Sequence, residues 1–136
     1  DNNFNGINVG VVDERGEICA MYKGIPQNDI GLRTDVLDNI SKSIGMKMLV
    51  RSMSPKVVVA DEIGTIQDID AIEYAITSGV KGIFTAHGSS LQDIMNNPIL
   101  GQLLTKNIIE RILYINSNRE ISLIYENKER QTNDCD

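Results

Sequence analysis

The sequence predicts an α/β domain built on a largely parallel sheet flanked by helices, and three observations carry this. Short apolar runs alternate with segments of helical periodicity. The run Val57-Val58-Val59-Ala60 is apolar at every position, as in a strand covered on both faces. Three such runs end abruptly in polar, reactive residues, and in open α/β sheets ligands bind beyond the carboxyl ends of the strands. A chain of 136 residues is long enough for one real core.

Each element follows in order. Ile7 to Val12 is a short strand that runs into Asp13-Glu14-Arg15. Ile18 to Tyr22 reads as a second short strand, and Gly24, Pro26, Asn28, Asp29 and Gly31 mark a loop. From Thr34 the pattern turns helical: Thr34 or Asp35 caps, and Leu37, Ile40 and Ile44 fall at helical spacing. Gly45 interrupts it, so one broken helix or two short ones are expected, ending near Met53, with Met46, Met48 and Met53 as core filler. Pro55 closes this stretch and launches the strand 57–60. Thr65 is the expected N-cap of a helix with Ile66, Ile69, Ile72 and Ile76 on one face, and Gly79 supplies its stop.

Gly82 to Ala86 is the next strand, ending at His87-Gly88-Ser89-Ser90. Ser89 or Ser90 caps a helix to about Asn96, Pro98 breaks it, and a further short helix covers Ile99 to Leu104. Ile109–Ile115 and Ile121–Tyr125 form a hairpin around Asn116-Ser117-Asn118. The domain is thus expected over 1–126, with a frayed or disordered polar tail over 127–136.

A net charge of −6 argues against a nucleic-acid partner held by a basic surface. Two cysteines, Cys19 and Cys135, make no disulfide framework, and one His makes no His-based zinc site. No apolar run reaches the length of a membrane span. The first residue is Asp rather than Met, which suggests a start inside a longer protein or after a processed tag.

The chemistry concentrates at three strand ends: Asp13-Glu14, Asp61-Glu62, and Thr85 with His87 two residues on. If the strands are parallel neighbours, these groups meet at one edge of the sheet. A buried strand closing on two adjacent acids has the shape of a Walker B element. Phosphoryl transfer needs a cation to neutralise the phosphates and a group to orient the attacking water. Asp61 is the candidate nucleotide-site ligand of Mg²⁺, through water, since Mg²⁺ keeps much of its hydration shell. Glu62 is the candidate to position or deprotonate the water, with Glu14 second. His87 is placed to contact a γ-phosphate, and Arg33 and Arg51 to supply positive charge, within the site or across a subunit boundary. Each has a plainer reading as a cap, a charged turn or a surface ion pair. The phosphate-binding loop G-x-x-x-x-G-K-[ST] does not occur in the chain.

The stretch Arg51-Ser-Met-Ser-Pro55-Lys-Val-Val-Val-Ala-Asp61-Glu62-Ile-Gly64 resembles the Walker B region of the ATPases of type II and type IV secretion. Ile83-Phe-Thr85-Ala-His87-Gly-Ser-Ser90 resembles their His box, and Val9-Gly-Val-Val-Asp13-Glu14-Arg15 their acidic box. Together with Pro26-Gln-Asn-Asp29 and Arg33-Thr-Asp-Val-Leu-Asp38, these motifs are similar to the stage III sporulation AA family, ATPases of spore-forming Firmicutes. The resemblance runs over about residues 8–115. It implies a RecA-like P-loop NTPase core, truncated at its N-terminal side, whose parent hydrolyses ATP with Mg²⁺ as a hexamer. It further implies a cytoplasmic, mother-cell location, peripheral to membrane components of a channel to the forespore that the ATPase powers or assembles. The residues carried over are Asp61, Glu62, Glu14 and His87, then Arg33 and Arg51.

The family's phosphate loop lies upstream of the acidic box, so this chain is expected to be the C-terminal part of an ATPase, inactive alone and without bound nucleotide. An apolar edge left open, or self-paired in a dimer, is also expected. Two other readings stand beside this one: a non-catalytic RecA-like scaffold or oligomerisation module, and a metal-dependent hydrolase using Asp13, Asp61 and His87.

Overall fold

The computed structural model describes residues 6–131. The chain divides into two compact units, Asp1–Ala86 and His87–Asp136.

In the first unit, β1 (Val9–Asp13) is followed by a small antiparallel hairpin of β2 (Met21–Tyr22) and β3 (Ile25–Pro26). Then come β4 (Thr34–Asp38), α1 (Lys42–Met53), β5 (Val57–Ala60), α2 (Ile66–Thr77) and β6 (Lys81–Phe84). Four strands form one parallel sheet in the order β4-β1-β5-β6. Val12 lies beside Leu37 on one side and Ala60 on the other, and Ala60 lies beside Phe84. The strands therefore end in step, and the residues after them leave from one edge.

The stretch 34–38 corrects the sequence reading. It is a strand, not the start of a helix, and pairs residue for residue with Val9–Asp13. Leu37, Ile40 and Ile44 do not share a helix face: Leu37 lies in β4, Ile40 in the bend after it, and Ile44 is 56% exposed. Parallel pairing with a buried neighbour overrides a weak local pattern. The helix begins only at Lys42, and its buried side is Met46, Leu49 and Val50. Met48 and Met53 are exposed, so only Met46 fills the core. Gly45 does not break α1; a Cβ there would stand 2.7 Å from Val12 Cγ1, so glycine lets the helix lie close on β1.

Thr65 caps α2 as expected, within a reciprocal capping box. Its hydroxyl accepts from the Asp68 N–H at 3.1 Å, and Asp68 Oδ2 accepts from the Thr65 N–H at 3.0 Å. Gly79, at φ +84°, ends the helix. Val50, Val58, Ala75 and Val80 pack together, with Tyr74 and Phe84 against them. At the end of the sheet order, β6 carries Ile83, which is 61% exposed.

The second unit holds α3 (Leu91–Asn96), α4 (Gly101–Thr105), the antiparallel pair β7 (Arg111–Ile115) and β8 (Ile121–Glu126), and α5 (Lys128–Gln131). Ser90 caps α3, its hydroxyl accepting from the Asp93 N–H. Asn116 Oδ1 shapes the hairpin turn by accepting from the N–H groups of Asn118 and Glu120, each at 2.9 Å. Leu100, Leu103 and Ile108 are buried, while Leu113, Ile115, Ile121 and Leu123 are exposed along the hairpin. The tail expected over 127–136 begins with the short helix α5, and its last five residues lie outside the described residues.

Candidate functional site

The end of β1 is organised by Asp13. Its carboxylate is fully buried, Oδ2 accepting from the Cys19 N–H at 2.8 Å and Oδ1 from the Ile18 N–H at 3.2 Å. These bonds fold the segment after β1 back onto the strand end, so Asp13 is committed to the turn. Cys19 is fully buried beside it. Burial first, then the charges of Asp13 and Asp38 and a hydrogen bond with Asp13, push its thiol above its ordinary value of 9.0. That is the opposite of an activated nucleophile.

Glu14 leaves the sheet edge next, and Lys42, the first residue of α1, meets it with Nζ 2.8 Å from Oε2. The Lys42 side chain is only 12% exposed. Burial alone would lower its pKa. The hydrogen bond to Glu14 and the charges of Asp68, Glu14 and Asp61 outweigh that and raise it above 10.5. A fixed cation therefore sits among the acids. The sequence reading missed it, because Lys42 reaches the sheet edge only once 34–38 is a strand.

The end of β5 carries Asp61, buried at 9% exposure, and Glu62. Glu62 adopts φ +48°, a left-handed conformation that costs a non-glycine residue roughly 1–2 kcal/mol. Such strain persists where the surroundings over-determine it, and functional sites collect it. The Glu62 N–H donates to Thr85 Oγ1 at 2.9 Å, and the Ile63 N–H donates to the Thr85 carbonyl at 2.9 Å. The carboxylate of Glu62 meets Arg15 NH1 at 2.5 Å. Just beyond, Asp68 Oδ2 accepts from the N–H groups of Gly64 and Thr65. Glu14, Arg15, Lys42, Asp61, Glu62, Asp68 and Thr85 thus share the carboxyl edge of the sheet.

Two predicted residues, Arg33 and Arg51, lie at the opposite edge of the sheet, and a third, His87, follows β6. β6 ends at Phe84, so Thr85 and His87 both follow the strand and its two-residue alternation does not place them on one face. His87 opens the second unit. Arg33 precedes β4, at the amino edge of the sheet, where its guanidinium donates to the Gly6 carbonyl at 2.8 Å. Arg51 lies in the last turn of α1, which leads to the start of β5. Its guanidinium stacks 5.7 Å from the centre of the Tyr74 ring. A strand of four to five residues separates the two edges by about 15 Å, so Arg33 and Arg51 do not join Asp61 and Glu62 within one unit. A cleft lined by Arg33, Asp35, Asn8 and Pro55 occupies that amino edge.

Among the described residues, no group of three or more His, Cys, Asp and Glu is arranged to hold a metal ion. With Asp13 committed to main-chain donors, the three-ligand hydrolase reading loses a ligand. A nucleotide-associated Mg²⁺ needs less: one or two carboxylates, with water and phosphate completing the shell. Asp61 with Glu62 beside it fits that requirement.

A parallel sheet with acids at the ends of adjacent strands, helices crossing between them, has the architecture of a P-loop ATPase core. The X-ray structure of the Legionella pneumophila ATPase DotB has this fold. The likeness covers 93% of this chain and 39% of DotB, with a TM-score of 0.54 at 14% identity. The family described as "Sporulation stage III, protein AA" matches residues 1–132, and the chain belongs to it. The Stage III sporulation protein AA of Bacillus subtilis (strain 168) is 42% identical over 123 residues, 88% of this chain. The chain spans 40% of the length of that relative. Among the described residues, no helix is long and apolar enough to cross a membrane.

Proposed function

We propose that this chain supplies the acidic side of the nucleotide-hydrolysis site of a sporulation ATPase. The observation that carries the reading is the shared edge: Asp61-Glu62 after β5 and Glu14 after the neighbouring β1. Mg²⁺, when bound with ATP, neutralises phosphate charge and orients the γ-phosphoryl group. Asp61 holds its hydrated shell. Glu62 orients the attacking water and takes its proton, with Glu14 as the alternative base. His87 hydrogen-bonds the γ-phosphate. Arg33 and Arg51, at the opposite edge of the sheet, serve a neighbouring copy in a hexamer. The assembled protein acts in the mother cell, at membrane components of a channel to the forespore, which it powers or helps assemble.

These 136 residues alone are expected to hydrolyse ATP negligibly, because they hold no phosphate-binding loop. The test is ATP hydrolysis by the full-length protein with and without Glu62→Gln. Turnover that collapses in the variant supports the reading, and equal turnover in both overturns it.

A second reading, a non-catalytic scaffold in the same assembly, draws on the ion pairs. Both candidate bases are matched by cations of their own unit, Glu14 by Lys42 and Glu62 by Arg15. It predicts no hydrolysis by the full-length protein and normal sporulation with Glu62→Gln.

A further inference from the structure

One side chain at the sheet edge has no role so far beyond bonding its neighbours. Thr85 gives two acceptors to one turn: its hydroxyl oxygen to the Glu62 N–H and its carbonyl to the Ile63 N–H, both at 2.9 Å. The residue between Asp61 and Ile63 is the one with φ +48°. An unsupported glutamate relaxes from this region to ordinary negative φ, and that rotation re-aims its Cβ and carboxylate. The clamp comes from the end of the next strand, so it ties the turn to the sheet itself. Arg15 holds the other end of Glu62, but through a 61% exposed side chain whose ion pair salt screens. The main-chain clamp is not weakened in that way.

We propose that Thr85 is a positioning residue for Glu62, fixing through the main chain the direction in which its carboxylate leaves β5. This rests on the reading of Glu62 as the residue that orients the attacking water. Misplacing a catalytic group by about 1 Å costs on the order of 10²-fold in rate. Serine keeps the acceptor oxygen, whereas valine keeps the shape and removes it. Thr85 is exposed, so neither change disturbs packing in the core.

The test uses the full-length protein with Thr85→Val, Thr85→Ser and Glu62→Gln. Thr85→Val should lower kcat by about 10- to 100-fold with little change in KM for ATP. Thr85→Ser should stay near the parent. Hydrogen exchange at the Glu62 amide should quicken in Thr85→Val and stay slow in Thr85→Ser, a difference that a general loss of stability would not confine to one amide. If valine disturbs the fold, Thr85→Ala makes the same comparison. Parent-like kcat in Thr85→Val or Thr85→Ala, while Glu62→Gln is inactive, overturns the proposal alone. Parent-like turnover in Glu62→Gln overturns both the proposal and the reading beneath it.

Discussion

Lys42 Nζ lies 2.8 Å from Glu14 Oε2, which ties the first turn of α1 to the end of β1. Lysine is 12% exposed in this pair and glutamate 36%, so water offsets the loss of a partner for Glu14 more readily than for Lys42. Lys42→Met should destabilise the first unit by about 1–2 kcal/mol, the range for a charged hydrogen bond with one well-shielded partner. The pH dependence has a definite sign. The folded pKa of Lys42 is raised, so its contribution is complete below about 10.5 and is lost as pH rises through the raised value. Urea unfolding from pH 8 to 11.5 should show this alkaline loss in the parent and a smaller one in Lys42→Met. Parallel profiles would show that the pair contributes nothing.

At position 62 the backbone and the chemistry want different residues. With φ at +48°, glycine is the conformationally cheap choice, yet the chain keeps glutamate. Glu62→Ala and Glu62→Gly both delete the carboxylate and the contact with Arg15. Their difference isolates the backbone, and Glu62→Gly should be the more stable by about 1 kcal/mol. Chemical denaturation of both variants measures it. Equal stabilities, or alanine above glycine, would show that the turn carries no strain.

Much of this architecture is legible in the sequence where one signal dominates. Val57–Ala60 is apolar throughout, and Thr65 and Gly79 bracket α2 with a cap and a stop. β4 is not legible, because Thr34, Asp35 and Asp38 make it polar at three of five positions and only its pairing with β1 defines it. That one misreading hid Lys42 from the acidic cluster. Arg33 and Arg51 look like site residues in a linear motif. Chain direction alone sends them to the amino edge, since one precedes a strand and the other ends the helix leading into the next. The left-handed turn at Glu62 has no sequence signature, because the nearby glycine is at 64.

Gly45 tests the packing of α1 on the sheet. Alanine would gain up to about 1 kcal/mol in helix propensity. Its Cβ, however, would meet Val12 Cγ1 at 2.7 Å and Ile40 Cγ2 at 3.2 Å, and both side chains are β-branched and stiff. Overpacking of this kind costs about 1–3 kcal/mol, so Gly45→Ala should be destabilising by about 1 kcal/mol and Gly45→Val by more. A rise in the unfolding midpoint of Gly45→Ala would mean that helix and strand have room to separate.

Asp13 and Cys19 give the last test, because one carboxylate sets both a turn and a thiol. The Cys19 pKa is raised by burial and by Asp13, so the neutral thiol stabilises the fold below pH 9.0, and the contribution is lost as pH rises through the raised value. In a Cys135→Ser background, alkylation of Cys19 by iodoacetamide at pH 8 should be slow and should track unfolding. Asp13→Asn replaces one acceptor oxygen with a donor group facing the N–H of Ile18 or Cys19, an expected cost of about 1–3 kcal/mol. The turn then opens more often, and Cys19 should be alkylated faster by at least the ratio of the two unfolding constants. Rapid alkylation in the parent would contradict the buried thiol. Unchanged alkylation in a destabilised Asp13→Asn would show that the turn opens independently of the carboxylate bonded to it, and that Asp13 is not the strut on which the Glu14 edge is built.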